Sequence, residues 1–412
     1  MEEQVDIQKR KKSSGVFLRI LIFLLFLAAI CTLLYITLTG LSPKDLLNED
    51  VSSLWQRIVF SYSEDMPQKQ LTLSLSEDDS IPELAVQGEV LVVCTPGEVK
   101  AFNSDGSERW TIPVRLSVPY ITSIGRDVLY ADLDGKSFGM IRDGSLFFEK
   151  QSENRIYHAS LSRDFILLLT KGDETGYTSI MEGYSREGNP VFTSHFTDYT
   201  PFAVFHHPES GQKNLIISGI SISSLKTNAA IEFITPDMTR LGGIQAEDDL
   251  YAIILQLSNG STAFIGEREM KIVDKDFVTV GSYTSEGNII TAAALESSID
   301  PVLAIFDQKR YETMRQEKTW LRTLSADGVL KRETVIEGRV NRLVAGKDIL
   351  GIIQDKSVTF IDLAGNFIQT YETGSMINDI KITPNGLAYI LADNQIISLR
   401  IREKKVLFQS RD

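Results

Sequence analysis

Histidine is the side chain most often used for metal binding and for proton transfer near neutral pH. The chain has four: His158, His195, His206 and His207. None has a partner at a metal-ligand spacing such as HxxxH, and the adjacent pair would point to opposite sides of a strand. We therefore expect four solvated loop histidines, with His206 and His207 at a hairpin tip, and no metal site.

Paired carboxylates are the next candidates for chemistry. Asp78-Asp79 and Asp248-Asp249 could share protons as an acid–base pair, although such pairs are more often loop charges. The run Asp132-Leu133-Asp134-Gly135 resembles the start of a calcium loop but lacks its later Glu, so it predicts a β-turn. The sequence contains no GxSxG, P-loop or CxxC motif. It therefore predicts no catalytic residue, no cofactor and no metal ligand.

Binding residues are easier to suggest than catalytic ones. The stretch 306–320, FDQKRYETMRQEKTW, is a charged, aromatic-bearing insertion, and 220–228, ISISSLKTN, is a polar one. Long loops on a rigid frame often bind partners, although a solvated hairpin is the simpler interpretation and the one we favour for 306–320. If this loop does bind a partner, its candidate interaction residues are Lys309, Arg310, Tyr311, Arg315 and Trp320.

The N-terminal segment indicates where such a surface would be located. Residues 20–38 are nineteen consecutive uncharged residues, and at 1.5 Å per residue they span ~28 Å, about the thickness of the hydrocarbon core. The cluster Lys9–Lys12 precedes them and should stay in the cytoplasm. We predict a cytoplasmic tail at 1–19, a single transmembrane helix at 20–40 and an extracytoplasmic remainder.

Two alternatives to an uncleaved anchor fit less well. A cleaved signal peptide usually has an apolar core of about 7–15 residues, shorter than this one. A lipoprotein signal needs a small residue before its cysteine, and Cys31 follows Ile30.

Residues 41–68 predict a juxtamembrane helix and a linker. Ser42 and Pro43 suit a helix start, and an apolar stripe runs from Leu47 through Trp55 to Ile58. The stripe could lie in the membrane surface or pack on the domain that follows, and the sequence leaves both open.

The overall charge narrows the class of partner. The formal net charge is −13, of which residues 1–19 contribute +2, so the part after the anchor carries −15. This acidity argues against nucleic acid as a partner. Two cysteines, Cys31 and Cys94, are too few for a disulfide scaffold, and Cys94 follows an apolar run that predicts a buried strand.

A repeated turn organises the remaining chain. Five copies share an apolar residue, a Gly turn and an outgoing strand: FNSDGSERW (102–110), MIRDGSLFF (140–148), YSREGNPVF (184–192), LSADGVLKR (324–332) and IDLAGNFIQ (361–369). Degenerate copies lie near 238, 277 and 404, which gives spacings of 37 to 51 residues. A period near 40 with about four short strands is typical of a β-propeller blade. We predict an all-β, eight-bladed propeller over residues 69–412, with seven blades as the alternative and no helix longer than three turns.

The first copy also resembles a known repeat. AFNSDGSERW, from Ala101 to Trp110, is similar to the tryptophan-docking repeat of quinoprotein-like β-propellers, and Phe148 and Phe192 occupy the same offset in their copies. The resemblance implies that Trp110 packs between adjacent blades. It does not extend to a quinone enzyme, because the vicinal disulfide often found beside the quinone would need two cysteines after the anchor.

A second resemblance covers the whole chain. A basic tail, one span, the pattern from Leu41 to Gln56 and an acidic propeller are similar to a clostridial membrane-anchored family of unknown function. The resemblance implies a Gram-positive host and an extracytoplasmic domain, and it implies no catalytic residues. The favoured hypothesis is a non-enzymatic interaction scaffold for an unidentified protein or envelope partner. The alternatives are a sensor of an extracellular glycan, peptide or small ligand, and a lyase or glycosidase with residues scattered on blade loops.

Overall fold

A computed structural model describes residues 69–74, 81–172, 176–206, 214–221, 228–246, 249–295, 300–346 and 348–401. The predicted tail, transmembrane helix and juxtamembrane helix lie outside these residues, as do His207 and the pair Asp78-Asp79. Among the residues described, no helix has the length and apolar character needed to cross a membrane.

The described residues form eight four-stranded antiparallel sheets, each a blade of one ring. Blades 1 to 4 follow one another in the chain, with strands ordered from the inner to the outer edge. They comprise β2 (Glu83–Gln87), β3 (Val90–Cys94), β4 (Glu98–Phe102) and β5 (Glu108–Pro113); β6 (Pro119–Ile124), β7 (Asp127–Asp132), β8 (Ser137–Arg142) and β9 (Ser145–Gln151); β10 (Ile156–Leu161), β11 (Phe165–Lys171), β12 (Ser179–Ser185) and β13 (Pro190–Phe196); and β14 (Tyr199–His206), β15 (Leu215–Ser221), β16 (Asn228–Ile234) and β17 (Arg240–Ala246).

Blades 5 to 8 complete the ring, and one short helix, α1 (Gln308–Met314), interrupts blade 6 between its second and third strands. The strands are β18 (Ile253–Gln256), β19 (Thr262–Ile265), β20 (Glu269–Val273) and β21 (Thr279–Thr284); β22 (Ile289–Leu295), β23 (Pro301–Phe306), β24 (Lys318–Leu324) and β25 (Leu330–Glu337); β26 (Arg342–Gly346), β27 (Ile349–Ile353), β28 (Ser357–Asp362) and β29 (Phe367–Glu372); and β30 (Ile377–Ile382), β31 (Leu387–Ala392), β32 (Gln395–Arg400) and β1 (Lys69–Ser74). The eight-bladed prediction is confirmed, and the seven-bladed alternative is wrong.

The two ends of the ring meet in blade 8. Strand β1 pairs antiparallel with β32, with Thr72 opposite Ile397 and Leu73 opposite Ile396. The outermost strand of blade 8 therefore comes from the start of the ring, and the turn predicted near 404 lies outside the described residues. This pairing closes the ring through backbone hydrogen bonds.

Seven predicted turns occupy one equivalent place, between the third and fourth strands of blades 1 to 7. The five turn glycines have φ between +78° and +84°. In the two degenerate copies Met238 and Phe277 take the same left-handed conformation, with φ of 66° and 63°. A β-bulge precedes the turn in each of these seven strand pairs.

The core lies in the seams between blades. All residues of β3, β7, β23 and β31 are buried, because the second strand of a blade is covered by neighbouring blades on both faces. Val92 and Cys94 of blade 1, for example, pack in one cluster with Val128 and Tyr130 of blade 2. The prediction of a buried Cys94 is confirmed.

Antiparallel strands send successive connections to alternate faces of the ring. The turn face carries the seven repeated turns and the loops between first and second strands. The helix face carries α1, the other loops between second and third strands, and the connections from blade to blade. Lys69 of β1 pairs with Leu399 and Ser74 with Gln395, so the chain enters β1 at the turn face.

Candidate functional site

Helix α1 gathers four of the five predicted interaction residues. Asp307 caps the helix, since its Oδ1 accepts a hydrogen bond from the backbone N–H of Arg310 at 2.9 Å. The ring of Tyr311 packs 5.7 Å from that of Phe306, at the end of β23, and this contact fixes the helix to the blade. Sequence analysis expected a loop without helix here. The sequence does contain a signal for this helix. Asp307 is a good N-cap residue, and the residues that follow it contain no run of β-branched side chains.

The three cationic side chains at α1 differ in whether they have a partner within the protein. Lys309 is exposed. The guanidinium of Arg310 bonds to Oε1 of Gln316 at 2.8 and 3.1 Å, and that of Arg315 lies 5.4 Å from the ring centre of Tyr311. The arrangement therefore presents a small basic patch on an otherwise acidic chain.

Trp320, the fifth predicted interaction residue, lies in β24, where its indole contacts the apolar cluster between blades 5 and 6. Lys318 and Arg322 lie 5.7 and 5.6 Å from its ring centre. Trp320 is half-buried, so part of its ring is committed to the seam between the blades.

A cleft of about 620 Å³ opens between blades 4, 5 and 6. Sequence reasoning did not find it, because its walls come from strands up to seventy residues apart. Its lining is mainly aliphatic, with two carboxylates: Ile220, Ala229, Asp249, Leu250, Ala252, Ile253, Ile265, Gly266, Glu267, Ile290 and Thr291. Leu250 is 41% exposed although it is a large apolar residue. A volume of 300–1,000 Å³ with few polar groups is typical of a ligand pocket.

Asp249 gives the cleft its shape. Its carboxylate accepts backbone hydrogen bonds from Glu267 and Arg268, each at 2.8 Å, from Glu269 at 3.1 Å and from Leu250 at 2.8 Å. These bonds hold the connection before β18 against the loop between β19 and β20. A Cβ on Gly266 would lie 2.4 Å from Oδ2 of Asp249, so glycine is required for this approach.

Hydrogen bonds also join blades 4 and 5 beside the cleft. The hydroxyl of Ser218 donates to the backbone carbonyl oxygen of Tyr251 at 3.2 Å. The side-chain amide of Gln256 donates to the backbone carbonyl oxygen of His206 at 2.9 Å. The phenol of Tyr251 donates to Glu269 Oε1, and burial together with that carboxylate raises the Tyr251 pKa. These hydrogen bonds hold the walls of the cleft in place.

A second, smaller pocket of about 120 Å³ lies between blades 7 and 8. Asp379 accepts from Arg342 at 2.6 Å and lies 3.0 Å from Lys381. Burial, followed by the charge of Asp379, raises the pKa of nearby Glu83 on β2. The cations of this pocket are already paired with carboxylates.

The residues first considered for chemistry have structural partners. Asp132 accepts from the backbone N–H groups of Ser117 and Val118 at 2.7 and 2.8 Å, and Gly135 closes the predicted β-turn on the carbonyl of Asp132 at 3.0 Å. Within the described ranges, no group of three His, Cys, Asp or Glu side chains is arranged to hold a metal ion.

The histidines correct one expectation. All three described histidines lie on strands and not in loops: His195 on β13 is exposed as predicted, whereas His158 is on β10 and His206 ends β14. His206 is buried, and its Nε2 is 3.5 Å from Asp164. Nε2 of His158 accepts from the backbone N–H of Val204 at 3.4 Å, and burial lowers the His158 pKa to about 4. The local sequence does not predict the burial of His158 and His206, because a neighbouring blade covers them.

A family model matches residues 62–402, which cover the whole ring. The chain belongs to the family of unknown function DUF5711. None of the curated proteins matches its sequence.

Solved structures resemble this DUF5711 chain in fold alone. BamB from Moraxella catarrhalis matches 82% of the chain and 100% of its own length, at 10% identity and a TM-score of 0.56. The Dos1 propeller matches 81% and 95%, at 11% identity and a TM-score of 0.57. A eukaryotic initiation factor matches 79% and 83%, at 10% identity and a TM-score of 0.51. The chain therefore shares its β-propeller architecture with proteins of very different sequence.

Proposed function

We propose that the chain is a membrane-anchored, extracytoplasmic interaction scaffold. Residues 20–40 hold it in the cell membrane, and the propeller binds a protein or another envelope component through its helix face. The observation that carries this proposal is the open aliphatic cleft between blades 4, 5 and 6, with Leu250 exposed at its rim. Exposed apolar surface that is held rigidly by a closed frame is typical of binding sites.

The anchor has its own test. The basic cluster Lys9–Lys12 should remain in the cytoplasm, so protease added to intact protoplasts should release the propeller as a soluble fragment. A propeller that stays protected until the membrane is lysed would overturn the proposed topology.

The scaffold is tested by site-specific photocross-linking in native membranes. A benzoylphenylalanine at Ala252, in the cleft, or at Lys309, on α1, should form adducts with a partner. The same probe at Val191, on the outer strand of blade 3 and 52% exposed, is the matched control. Adducts from Val191 alone, or from none of the three, would contradict binding through the helix face.

A ligand sensor is the second candidate, and the cleft volume is the observation in its favour. About 620 Å³ is enough for a small molecule as well as for part of a protein. A low-molecular-weight compound that co-purifies with the chain, together with absent cross-links at Ala252, would favour the sensor.

A further inference from the structure

We infer that the cleft binds an extended polypeptide segment in which branched aliphatic side chains alternate with lysine or arginine. This inference rests on the proposed function and names the chemistry of the partner. It follows from three properties of the cleft: its aliphatic lining, the sign of its charges and the free edge of a strand beside it.

The lining selects aliphatic side chains. The aliphatic lining comes from three blades: Leu250 is exposed, Ile220 and Ile253 are half-buried, and Ile265 and Ile290 are buried. The lining residues that the structure describes include no aromatic ring, so stacking on a planar ligand is not available from them. Burial of branched aliphatic groups is the favourable interaction that this surface offers.

The charges select cations. Among the described residues of the lining, the charged ones are Asp249 and Glu267, and both are acidic. Asp249 is held by four backbone N–H groups, whereas the side chain of Glu267 is exposed and available. A segment bearing lysine or arginine is attracted to this cleft, and an acidic segment is repelled.

The backbone selects an extended chain. Among the described strands, β18 is the inner edge of blade 5 and pairs with β19 on one side only. Ile253, its first residue, also lines the cleft. An extended segment can add to such an edge by main-chain hydrogen bonds while its alternate side chains enter the pocket.

Three capped peptides test this inference on the purified full-length protein. KIKIK carries both features, KSKSK keeps the charge without the aliphatic groups, and EIEIE reverses the charge. We expect KIKIK to bind at least tenfold more tightly than the other two. Equal binding of KIKIK and KSKSK would show that the cleft does not select aliphatic side chains. Equal binding of KIKIK and EIEIE would show that it does not select cations.

Variants locate the binding. Glu267→Lys and Leu250→Lys should each weaken KIKIK binding at least tenfold, while Glu187→Lys, the same charge change on the turn face, should alter it less than twofold. Each variant is first shown to melt like the parent protein. Isoleucine methyl NMR of the unsubstituted protein is independent of any variant. KIKIK should shift the Ile253 and Ile290 methyl signals, and unchanged signals would overturn the assignment.

The results separate this inference from the proposed function. If no peptide binds but the probe at Ala252 still captures a partner, the scaffold stands and the partner chemistry is wrong. If KIKIK binds as expected but neither Ala252 nor Lys309 captures a partner in membranes, the cleft chemistry stands and the scaffold is wrong.

Discussion

The indole of Trp110, on the outer strand of blade 1, lies against Gly144 in the turn of blade 2. A Cβ at Gly144 would be 2.6 Å from Cδ1 of Trp110. Phe148 of blade 2 repeats this relationship with Gly188 of blade 3, where the corresponding distance is 3.0 Å. The docking expected from the sequence resemblance is confirmed at these two seams.

The seam between blades 4 and 5 reverses the sizes of the two partners. The docking position there is Gly242, and the turn position of blade 5 is Phe277, whose ring stacks 4.5 Å from that of Phe233. A large side chain therefore fills the seam from either partner. This explains why the repeat looks degenerate in sequence although the turn is kept in space.

Truncating Trp110 should destabilise the ring. Trp110→Ala removes a large ring from the seam and should cost about 3–5 kcal/mol, measured by urea unfolding. Trp110→Phe is the matched control, because phenylalanine fills the same position in blade 2, and it should lose much less. Similar losses for the two variants would contradict the docking role.

Gly144→Ala should be more harmful than Gly125→Ala. Both glycines belong to blade 2 and have positive φ, 78° and 62°, so both variants strain the backbone by about 1–2 kcal/mol. Only Gly144 faces an indole, whereas a Cβ at Gly125 meets nothing within 4 Å. The melting temperature should therefore fall further for Gly144→Ala. An equal decrease would show that backbone strain alone accounts for the effect.

Acidification should weaken the fold through His158. Its pKa is about 4 in the folded chain because of burial, below the unfolded value near 6.5. The unfolded chain therefore binds the proton first. The stability provided by the neutral ring is complete above pH 6.5 and is lost as the pH falls from 6.5 to 4, by at most about 3.5 kcal/mol at about 1.4 kcal/mol per pKa unit.

The variant His158→Gln keeps a hydrogen-bond acceptor for Val204 but does not titrate. Its stability should decline less between pH 7 and pH 5 than that of the parent chain, as followed by thermal melting. Parallel declines would assign the acid sensitivity to other groups.

Cys94 should be chemically silent in the folded protein. Burial raises the pKa of its thiol to about 12, and the side chain has no solvent exposure. Because the thiolate is the reactive form, iodoacetamide at pH 8 should not modify it in a Cys31→Ser background. Denaturation in urea should restore full alkylation, measured by mass spectrometry. Alkylation of the folded protein at the denatured rate would contradict the buried position of Cys94.

Local chemistry made the propeller predictable. A turn that needs positive φ selects glycine at 106, 144, 188, 328 and 365, and buried second strands appear as uninterrupted apolar runs. The same logic fails for helix α1, since a helix of seven residues, about two turns, is too short to show a periodic pattern. It fails for His158 and His206 because adjacent blades decide their burial.

The amino-acid sequence alone therefore determined the class of fold, the turns of blades 1 to 7 and the docking of Trp110, since each depends on turns and spacings within about forty residues. Tertiary structure decided that β1 closes blade 8 against β32, more than three hundred residues away in the chain. It also decided that Ile220, Ile253 and Ile290 share one cleft and that Trp320 packs against the cluster between blades 5 and 6. Packing between blades brings those groups together or separates them, and no local pattern records which strands become neighbours.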